Sequence, residues 1–158
     1  MNKKLNVNKN SGFTLFIAIV VMGTLLLVAT GIVNLAVRQS HISVSGRESQ
    51  IAFYAADSGM ECALFWDVGS LSASSAFDTT SENTITCNQD ALNPDNQWVV
   101  GGEATSVIDL ITFNPASHCA TVTVTKNPDG STTIESRGYN TCDPDNARRV
   151  ERAVRATY

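Results

Sequence analysis

The chain has 158 residues, of which 11 are Lys or Arg and 15 are Asp or Glu, so its net charge at neutral pH is −4. A mildly acidic surface gives no electrostatic reason to bind nucleic acid, and we expect no such partner. The 121 residues that follow Val37 suit one globular domain with one core rather than two.

The chain begins with a polar leader, residues 1–12, whose only charged side chains are three lysines. From Phe13, 25 residues follow without a charge, and 15 of them are Leu, Ile, Val or Phe. As a helix this segment is about 37 Å long, more than the roughly 30 Å of a bilayer's hydrocarbon core. Its apolar residues favour insertion by about 5 to 9 kcal/mol before the polar positions are counted. We therefore predict a transmembrane helix over residues 13–37, with the basic leader in the cytoplasm.

A secretory signal fits this segment poorly, because its apolar region would span about 7–15 residues and end in a small-x-small cleavage site. Here the apolar run is longer, and Arg38 follows it without such a site. A plain membrane anchor fits the length and composition. It does not explain why Gly12 stands directly before Phe13, or why the polar leader ends so abruptly.

Two stretches carry a more specific signal. The sequence KNSGFTL, from Lys9 to Leu15, resembles the junction between leader and mature chain in type IV pilins and pseudopilins. The sequence AFYAADSGME, residues 52–61, is similar to a stretch of the minor pilins of the PilX-like group. The resemblance implies that a membrane-embedded prepilin peptidase cuts after Gly12 and methylates the new amino terminus, Phe13.

One position departs from the family pattern. Most pilins carry glutamate as the fifth mature residue, where this chain has Ile17. In the family this carboxylate pairs with the amino terminus of a neighbouring subunit, and a buried unpaired carboxylate costs several kcal/mol. A subunit with no neighbour above it has no use for the charge, so Ile17 favours a tip or other minor subunit. Variation within a lineage, or a major pilin that tolerates the loss, would explain Ile17 as well.

The resemblance implies a structural subunit of a type IV pilus or a type II secretion-like pseudopilus, and not an enzyme. Such a chain spans the cytoplasmic membrane once and later enters an extracellular or periplasmic filament. Its partners would be other pilin or pseudopilin subunits, the prepilin peptidase, an inner-membrane assembly platform and the membrane, with no cofactor. The competing hypothesis is a single-pass anchored extracytoplasmic domain, an adhesin or sensor, that does not polymerise.

The helix is predicted to continue past the membrane segment. Apolar residues return at helical spacing from Ile51, which predicts one helix over roughly residues 13–66 whose continuation, residues 38–66, packs on a globular domain. The stripe expected to face that domain consists of Ile51, Tyr54, Ala55, Ser58, Cys62, Phe65 and Trp66.

Residues 67–158 are predicted to form a small antiparallel β-sheet domain, so the fold class is α+β. Cys119–Lys126 and Ser131–Tyr139 flank a Pro-Asp-Gly turn and form the clearest hairpin. Residues 148–158 fit a strand or a helix, and their likeness to the closing strands of pilin domains favours a strand. Shorter strands are predicted near residues 84–87, 98–100 and 106–113.

All four cysteines follow the membrane segment: Cys62, Cys87, Cys119 and Cys142. In an oxidising compartment an even number indicates disulfide bonds, and four buried free thiols are the alternative. Of the three pairings we favour Cys62–Cys87 with Cys119–Cys142, because each closes a loop of modest length and stabilises by roughly 3 kcal/mol. No pair has the C-x-x-C spacing that is typical of zinc sites.

Catalytic and metal-binding patterns are weak. His118 neighbours Cys119, but adjacent residues of a strand point to opposite faces, so they do not form a nucleophile pair. Asp143, Asp145 and Asn146 could offer oxygen ligands to calcium, yet the ligand pattern is incomplete. We expect a solvated turn there, with no catalytic residue and no metal site.

Overall fold

The computed structural model describes residues 11–69, 74–115 and 117–158, without the side chains of residues 11 and 12. The predicted α+β fold, a long N-terminal helix followed by antiparallel strands, is confirmed. Most of the predicted leader and part of the loop after the helix lie outside the described residues. The elements are helix α1 (Ser11–Leu64), a π-helical turn (Phe65–Gly69), β1 (Glu82–Thr86), β2 (Gln97–Gly101), β3 (Thr105–Thr112), β4 (Cys119–Lys126), β5 (Thr132–Tyr139) and β6 (Glu151–Thr157).

The chain divides into two compact units, with the boundary between Val44 and Ser45 inside α1. In the first unit, every large apolar side chain of the segment Phe13–Val37 is exposed. The hydroxyls of Thr24 and Thr30 each donate a hydrogen bond to the carbonyl three residues earlier, at 2.9 Å. These hydroxyls therefore need no outside partner in an apolar environment. Among the described residues, one helix has the length and composition to cross a membrane.

The second unit, Ser45–Tyr158, is built on an antiparallel sheet of order β3-β4-β5-β6. The predicted hairpin is present as β4 and β5, and the closing segment forms a strand, β6, as favoured from the sequence. Strands β1 and β2 form a separate hairpin. It is joined to β3 where the amide of Gly101 donates to the hydroxyl of Ser106 at 2.9 Å. The shared core is formed by Phe77, Ile85, Val100, Ile108, Ile111, Val122, Val124 and Ile134.

The predicted stripe that packs α1 on this domain is partly confirmed: Ala55 is buried, and Cys62 and Trp66 pack against the core. Tyr54, Ser58 and Phe65, which we placed on the inner face, are exposed. The residues of α1 that are buried against the sheet are small, apart from one methionine: Ala52, Ala55, Ala56, Gly59, Met60 and Ala63.

The physical reason is the closeness of the helix backbone to the sheet. A Cβ on Gly59 would lie 2.9 Å from Cγ2 of Val122, and a Cβ on Gly138 would lie 2.1 Å from the carbonyl oxygen of Ala52. Real Cβ atoms essentially never approach so closely, so a side chain at either position would force its neighbours to shift, and at Gly138 those neighbours are backbone atoms. Because backbone touches backbone here, alanine and glycine, and not the large aromatic residues, face the sheet.

Candidate functional site

The predicted processing site lies in the first turns of α1. Gly12 and Phe13 both have helical backbone, and the side chains of Phe13 and Ile17 are exposed. Gly12, Phe13 and Ile17, the atypical fifth mature position, lie on the same helix. It does not test cleavage after Gly12 or methylation of Phe13, which stay predictions.

A disulfide bond ties the end of α1 to the β1–β2 hairpin. Cys62 and Cys87 are bonded, with their Cα atoms 5.9 Å apart. One turn further along the helix, the indole Nε1 of Trp66 donates to the carbonyl of Thr86 at 2.9 Å. The covalent bond to Cys87 and the hydrogen bond to the adjacent Thr86 together fix the rotation of the helix end relative to β1.

Cys119 and Cys142 are free thiols in the structure, so the second predicted disulfide bond is not formed there. Burial and then the neighbouring Cys142 thiol raise the pKa of Cys119 to about 12, although the Arg149 guanidinium opposes the rise. Cys119 is therefore protonated at neutral pH, and a bond between the two cysteines stays a prediction.

A buried carboxylate, Asp67, joins four segments directly after α1. Its Oδ1 lies 2.5 Å from the ammonium Nζ of Lys126 at the end of β4, and it also accepts a hydrogen bond from the Ser75 hydroxyl. Its Oδ2 accepts from the phenol of Tyr158, next to the end of β6. The Asp67 side chain is 2% exposed. The cluster of Asp67, Ser75, Lys126 and Tyr158 therefore holds the helix end, a loop and two strands together.

Two ionisable groups of this cluster are shifted. Burial by itself would raise the pKa of Asp67, but hydrogen bonds from Lys126, Ser75 and Tyr158 and the charge of Lys126 outweigh it and hold that pKa below its usual value. For Tyr158, burial and then the neighbouring Asp67 carboxylate raise the pKa of the phenol. The carboxylate is therefore stabilised in its charged form, and the phenol in its neutral form.

The part of α1 that belongs to the second unit is also attached to the sheet near its beginning, by two hydrogen bonds. A carboxylate oxygen of Glu48 accepts a hydrogen bond from the Asn140 amide at 2.8 Å. The hydroxyl of Ser49 accepts one from the guanidinium of Arg152 at 2.8 Å. Together with the Asp67 cluster and the disulfide bond, these contacts attach the segment between Ser45 and Gly69 to the sheet at both ends.

The sequence did not predict the Asp67 cluster. The sequence analysis gave Asp67 no role beyond being the first residue of the predicted β-sheet domain, residues 67–158. Its partners Lys126 and Tyr158 lie 59 and 91 residues further along the chain, so no local spacing connects them. The one available signal was a carboxylate directly after Trp66, a residue assigned to the packed part of the helix.

The remaining candidates have structural surroundings. His118 stacks on Phe113 with ring centroids 5.2 Å apart, and burial lowers the pKa of its imidazole. The Asp143 carboxylate accepts the Asp145 amide at 3.0 Å, as in a turn closed by its own side chain. Within the described parts of the chain, no group of three or more His, Cys, Asp or Glu residues is placed to hold a metal ion.

Comparison with known families assigns the helix. Residues 11–61 match the family described as PilX N-terminal. This match to the N-terminal segment supports a PilX-like type IV pilin family. The matched segment covers most of α1, including the Gly12–Phe13 junction, and ends before the strands. No curated protein and no solved structure matches the chain.

The segment that matches the PilX N-terminal family has two different surfaces along one helix. Its first part, Phe13–Val37, exposes its large apolar side chains, while its last turns bury small residues against the sheet. The same family segment therefore contains both the apolar rod and the surface that attaches the β-rich domain.

Proposed function

We propose that the chain is a minor or tip subunit of a type IV pilus or of a type II secretion-like pseudopilus. Prepilin peptidase removes the leader after Gly12 and methylates Phe13, and the subunit then assembles through α1. The observation that carries this proposal is the PilX N-terminal match over a helix whose apolar side chains from Phe13 to Val37 are all exposed. The role is structural and not enzymatic.

The exposed apolar side chains of this helix need an apolar environment. Insertion into a bilayer supplies one, and it is favourable by about 5 to 9 kcal/mol before polar positions are counted. In a filament the same surface would pack against the equivalent helices of neighbouring subunits, so that the cost of leaving lipid is offset by packing in the helical bundle. One surface can therefore serve in the membrane before assembly and in the filament afterwards.

Topology supports an extracytoplasmic domain. The basic leader favours the cytoplasmic side of the inner membrane, which places the four cysteines outside the cytoplasm. Disulfide bonds persist in that compartment, and Cys62–Cys87 is one. The chain would then meet the prepilin peptidase and the assembly platform in the membrane, and enter a filament in the periplasm or outside the cell.

Ile17 supports the minor or tip position. In typical pilins a glutamate at this place pairs with the amino terminus of a neighbouring subunit. A subunit with Ile17 has no carboxylate here, so it does not need that neighbour to pair a buried charge. The exposed Ile17 side chain in the structure offers a purely apolar surface instead.

The test is intact-mass and amino-terminal analysis of the protein isolated from its native membranes and filaments. We expect a chain that begins at methylated Phe13 and that co-purifies with other pilin-type subunits. A chain that keeps Met1 and occurs only as a monomer in the envelope would instead support the anchored adhesin or sensor domain.

A further inference from the structure

Strand β6 is one edge of the four-stranded sheet, and half of its backbone groups point away from that sheet. The amides of Thr132 and Tyr158 each donate to the other's carbonyl, at 2.8 and 3.1 Å. Because bonded and non-bonded pairs alternate in an antiparallel ladder, the N–H and C=O groups of Ala153, Arg155 and Thr157 point outward. All three residues are exposed, and these groups have no hydrogen-bond partner among the described residues. They form the open edge of the sheet.

The opposite edge of the same sheet, on β3, is protected. A bulge shifts the register of β3 against β4, and bulges hinder pairing with a further strand. Side chains also satisfy outward backbone groups of β3. The indole of Trp98 donates to the carbonyl of Asp109 at 2.6 Å, and the Asn96 amide donates to the carbonyl of Thr112 at 2.8 Å. Strand β6 has an uninterrupted register and no proline, so the sheet is closed on one side and open on the other.

The side chains along the open edge are basic, although the whole chain carries a net charge of −4. Arg152 lies on the face of the sheet that packs on α1, where its guanidinium donates to Ser49 at 2.8 Å. Arg155 lies on the other face, is exposed, and forms no ion pair within the described ranges. The one acidic residue of β6, Glu151, lies 3.6 Å from the guanidinium of Arg137. The edge therefore has an unpaired cation to offer.

We propose that the open edge binds an extended acidic segment of another protein, which adds a further strand to the sheet. The backbone of that segment pairs with the outward groups of Ala153, Arg155 and Thr157. Its carboxylates lie beside Arg155 on one face, and its apolar side chains lie beside the half-buried Val154 and Ala156 on the other. Backbone hydrogen bonds supply the affinity, and the alternating side chains supply the specificity.

The arginines select the kind of strand that can bind. Charged side chains on an edge strand discourage pairing with arbitrary apolar strands, because each such pairing would bury or crowd a charge. A strand that brings a carboxylate to Arg155 removes this penalty, whereas a basic strand increases it. The open edge is therefore guarded against unspecific aggregation and remains available to an acidic partner.

A second copy of this chain fits the open edge poorly. The end of α1 and β6 run in the same direction, since Ser49 contacts Arg152 near the start of β6 and Asp67 contacts Tyr158 just after its end. Antiparallel pairing of two β6 strands would point these helix segments in opposite directions, which two copies in one membrane cannot do. This step rests on the proposed function. Parallel pairing in register would bring the two Arg155 side chains together, which is unfavourable.

The first experiment measures the binding of labelled synthetic peptides to the full chain in detergent, by fluorescence anisotropy. The probe is a blocked heptapeptide of alternating valine and glutamate, and in its control lysine replaces glutamate. We expect the lysine peptide to bind at least about tenfold more weakly, since it opposes Arg155. An affinity for the acidic peptide no better than that for the lysine peptide would overturn the proposal.

A second pair of peptides separates strand pairing from simple attraction of charges. Methylation of the glutamate backbone nitrogens removes the N–H groups that would face β6, and methylation of the valine nitrogens alters groups that would face solvent. Both peptides keep the same charge. We expect the peptide with methylated glutamates to bind about tenfold more weakly than the other. Equal binding of the two would exclude pairing with the open edge.

The third experiment changes the chain. Ala153→Pro removes an outward N–H and leaves the ladder to β5 intact, because proline is tolerated where the N–H of an edge strand faces solvent. It should weaken binding of the acidic peptide about tenfold, whereas Ala153→Ser, which keeps the N–H, should not. Arg155→Glu should also cost about tenfold, with Arg38→Glu, the same charge change on α1, as the matched control. Unchanged affinity in Ala153→Pro or in Arg155→Glu would overturn the proposal.

Hydrogen exchange followed by NMR checks the folding of these variants and locates the peptide. In the free chain the amides of Ala153, Arg155 and Thr157 should exchange quickly, and those of Val154 and Ala156 slowly. The acidic peptide should slow the first set at least about tenfold, and Ala153→Pro should keep the second set slow. Protection of other amides instead would place the peptide elsewhere. A dimer of the full chain that Ala153→Pro dissociates would make a second copy the occupant and overturn the acidic segment.

These measurements also separate the open edge from the proposed function, because peptide binding needs neither cleavage nor assembly. A chain that begins at methylated Phe13 but does not bind the acidic peptide would overturn the open-edge proposal alone. A chain that keeps Met1 and binds the peptide would overturn the filament role and leave the strand-binding edge in place.

Discussion

At the scale of single residues, the contact between Gly59 and Ser136 shows how closely α1 lies on the sheet. Ser136 is fully buried on β5, and its hydroxyl has no hydrogen-bond partner within the described residues. A Cβ on Gly59 would lie 2.7 Å from that hydroxyl oxygen. The hydroxyl is therefore desolvated without a compensating bond, and the glycine leaves it the space it occupies.

We expect opposite effects from changing these two residues. Ser136→Ala should raise the free energy of unfolding by about 1 kcal/mol, because it removes a buried unsatisfied hydroxyl. Gly59→Ala should lower it by about 1–3 kcal/mol, because the added methyl overpacks the helix–sheet contact. Denaturant unfolding of the full chain in detergent measures both, with the exposed Ser58→Ala as control. A clear loss of stability in Ser136→Ala would show that the hydroxyl has a partner.

Asp67 gives a prediction for a buried ion pair. Asp67→Asn should lower the free energy of unfolding by about 2–4 kcal/mol, somewhat less than for a fully buried pair, since the Lys126 side chain is 23% exposed. The matched control is Glu135→Gln, which removes the exposed pair with Arg137 and should cost less than about 1 kcal/mol. Equal effects of the two variants would contradict a special role for the cluster.

The pH dependence of the Asp67 contribution has a definite sign. The pKa of Asp67 is lower in the folded chain than its unfolded value of about 3.9. Its contribution to stability is therefore complete above that value and is lost as the pH falls through the folded pKa. We expect the stability difference between wild type and Asp67→Asn to shrink between pH 5 and strongly acidic pH, roughly pH 2, measured by unfolding at each pH. A difference that stays constant with pH would exclude the carboxylate as its source.

At the scale of elements, sequence patterns predicted the helix and the hairpin, which depend on residues close together in the chain. The uninterrupted apolar run from Phe13 gave the helix, and the Pro-Asp-Gly turn with alternating flanks gave the β4–β5 hairpin. Which residues lie on the inner face of α1 depends instead on how closely the helix backbone approaches Gly138. The spacing of apolar residues in the sequence does not indicate that distance. Tyr54 and Phe65 were therefore assigned to the core, although the residues of α1 buried against the sheet are small apart from Met60.

The cysteine pairs make a prediction at this scale. Replacing Cys62 and Cys87 together by serine should lower the free energy of unfolding by roughly 3 kcal/mol, because the disulfide bond closes a loop between α1 and the residue after β1. In protein from the oxidising compartment, we also expect Cys119 and Cys142 to be bonded and to resist alkylation until reduction. Mass spectrometry after alkylation without reductant counts the thiols. Two modified cysteines in the native chain would exclude the second bond.

At the scale of the whole molecule, the chain contains an apolar helical segment, Phe13–Val37, and a domain, Ser45–Tyr158, whose own part of α1 packs on the sheet through small side chains. The rod was predictable because a membrane span needs only length and composition. The Asp67 cluster was not, because it forms only when residues up to 91 positions apart meet. The family match, residues 11–61, covers the part of the chain that the sequence pattern also predicted.

The processing step supplies the last prediction. Gly12→Leu should block cleavage, because the peptidase of this family acts after glycine, and the chain should then keep Met1 and remain in the membrane. The matched control is Gly23→Leu: a Cβ at Gly23 meets no atom within 4 Å, and leucine suits a membrane helix, so processing should continue. Immunoblots of membrane and filament fractions, with intact mass for each variant, distinguish the two. Cleaved subunits in filaments of the Gly12→Leu strain would contradict the assigned junction, whereas loss of cleavage in both variants would point to a general defect of the helix rather than to the glycine.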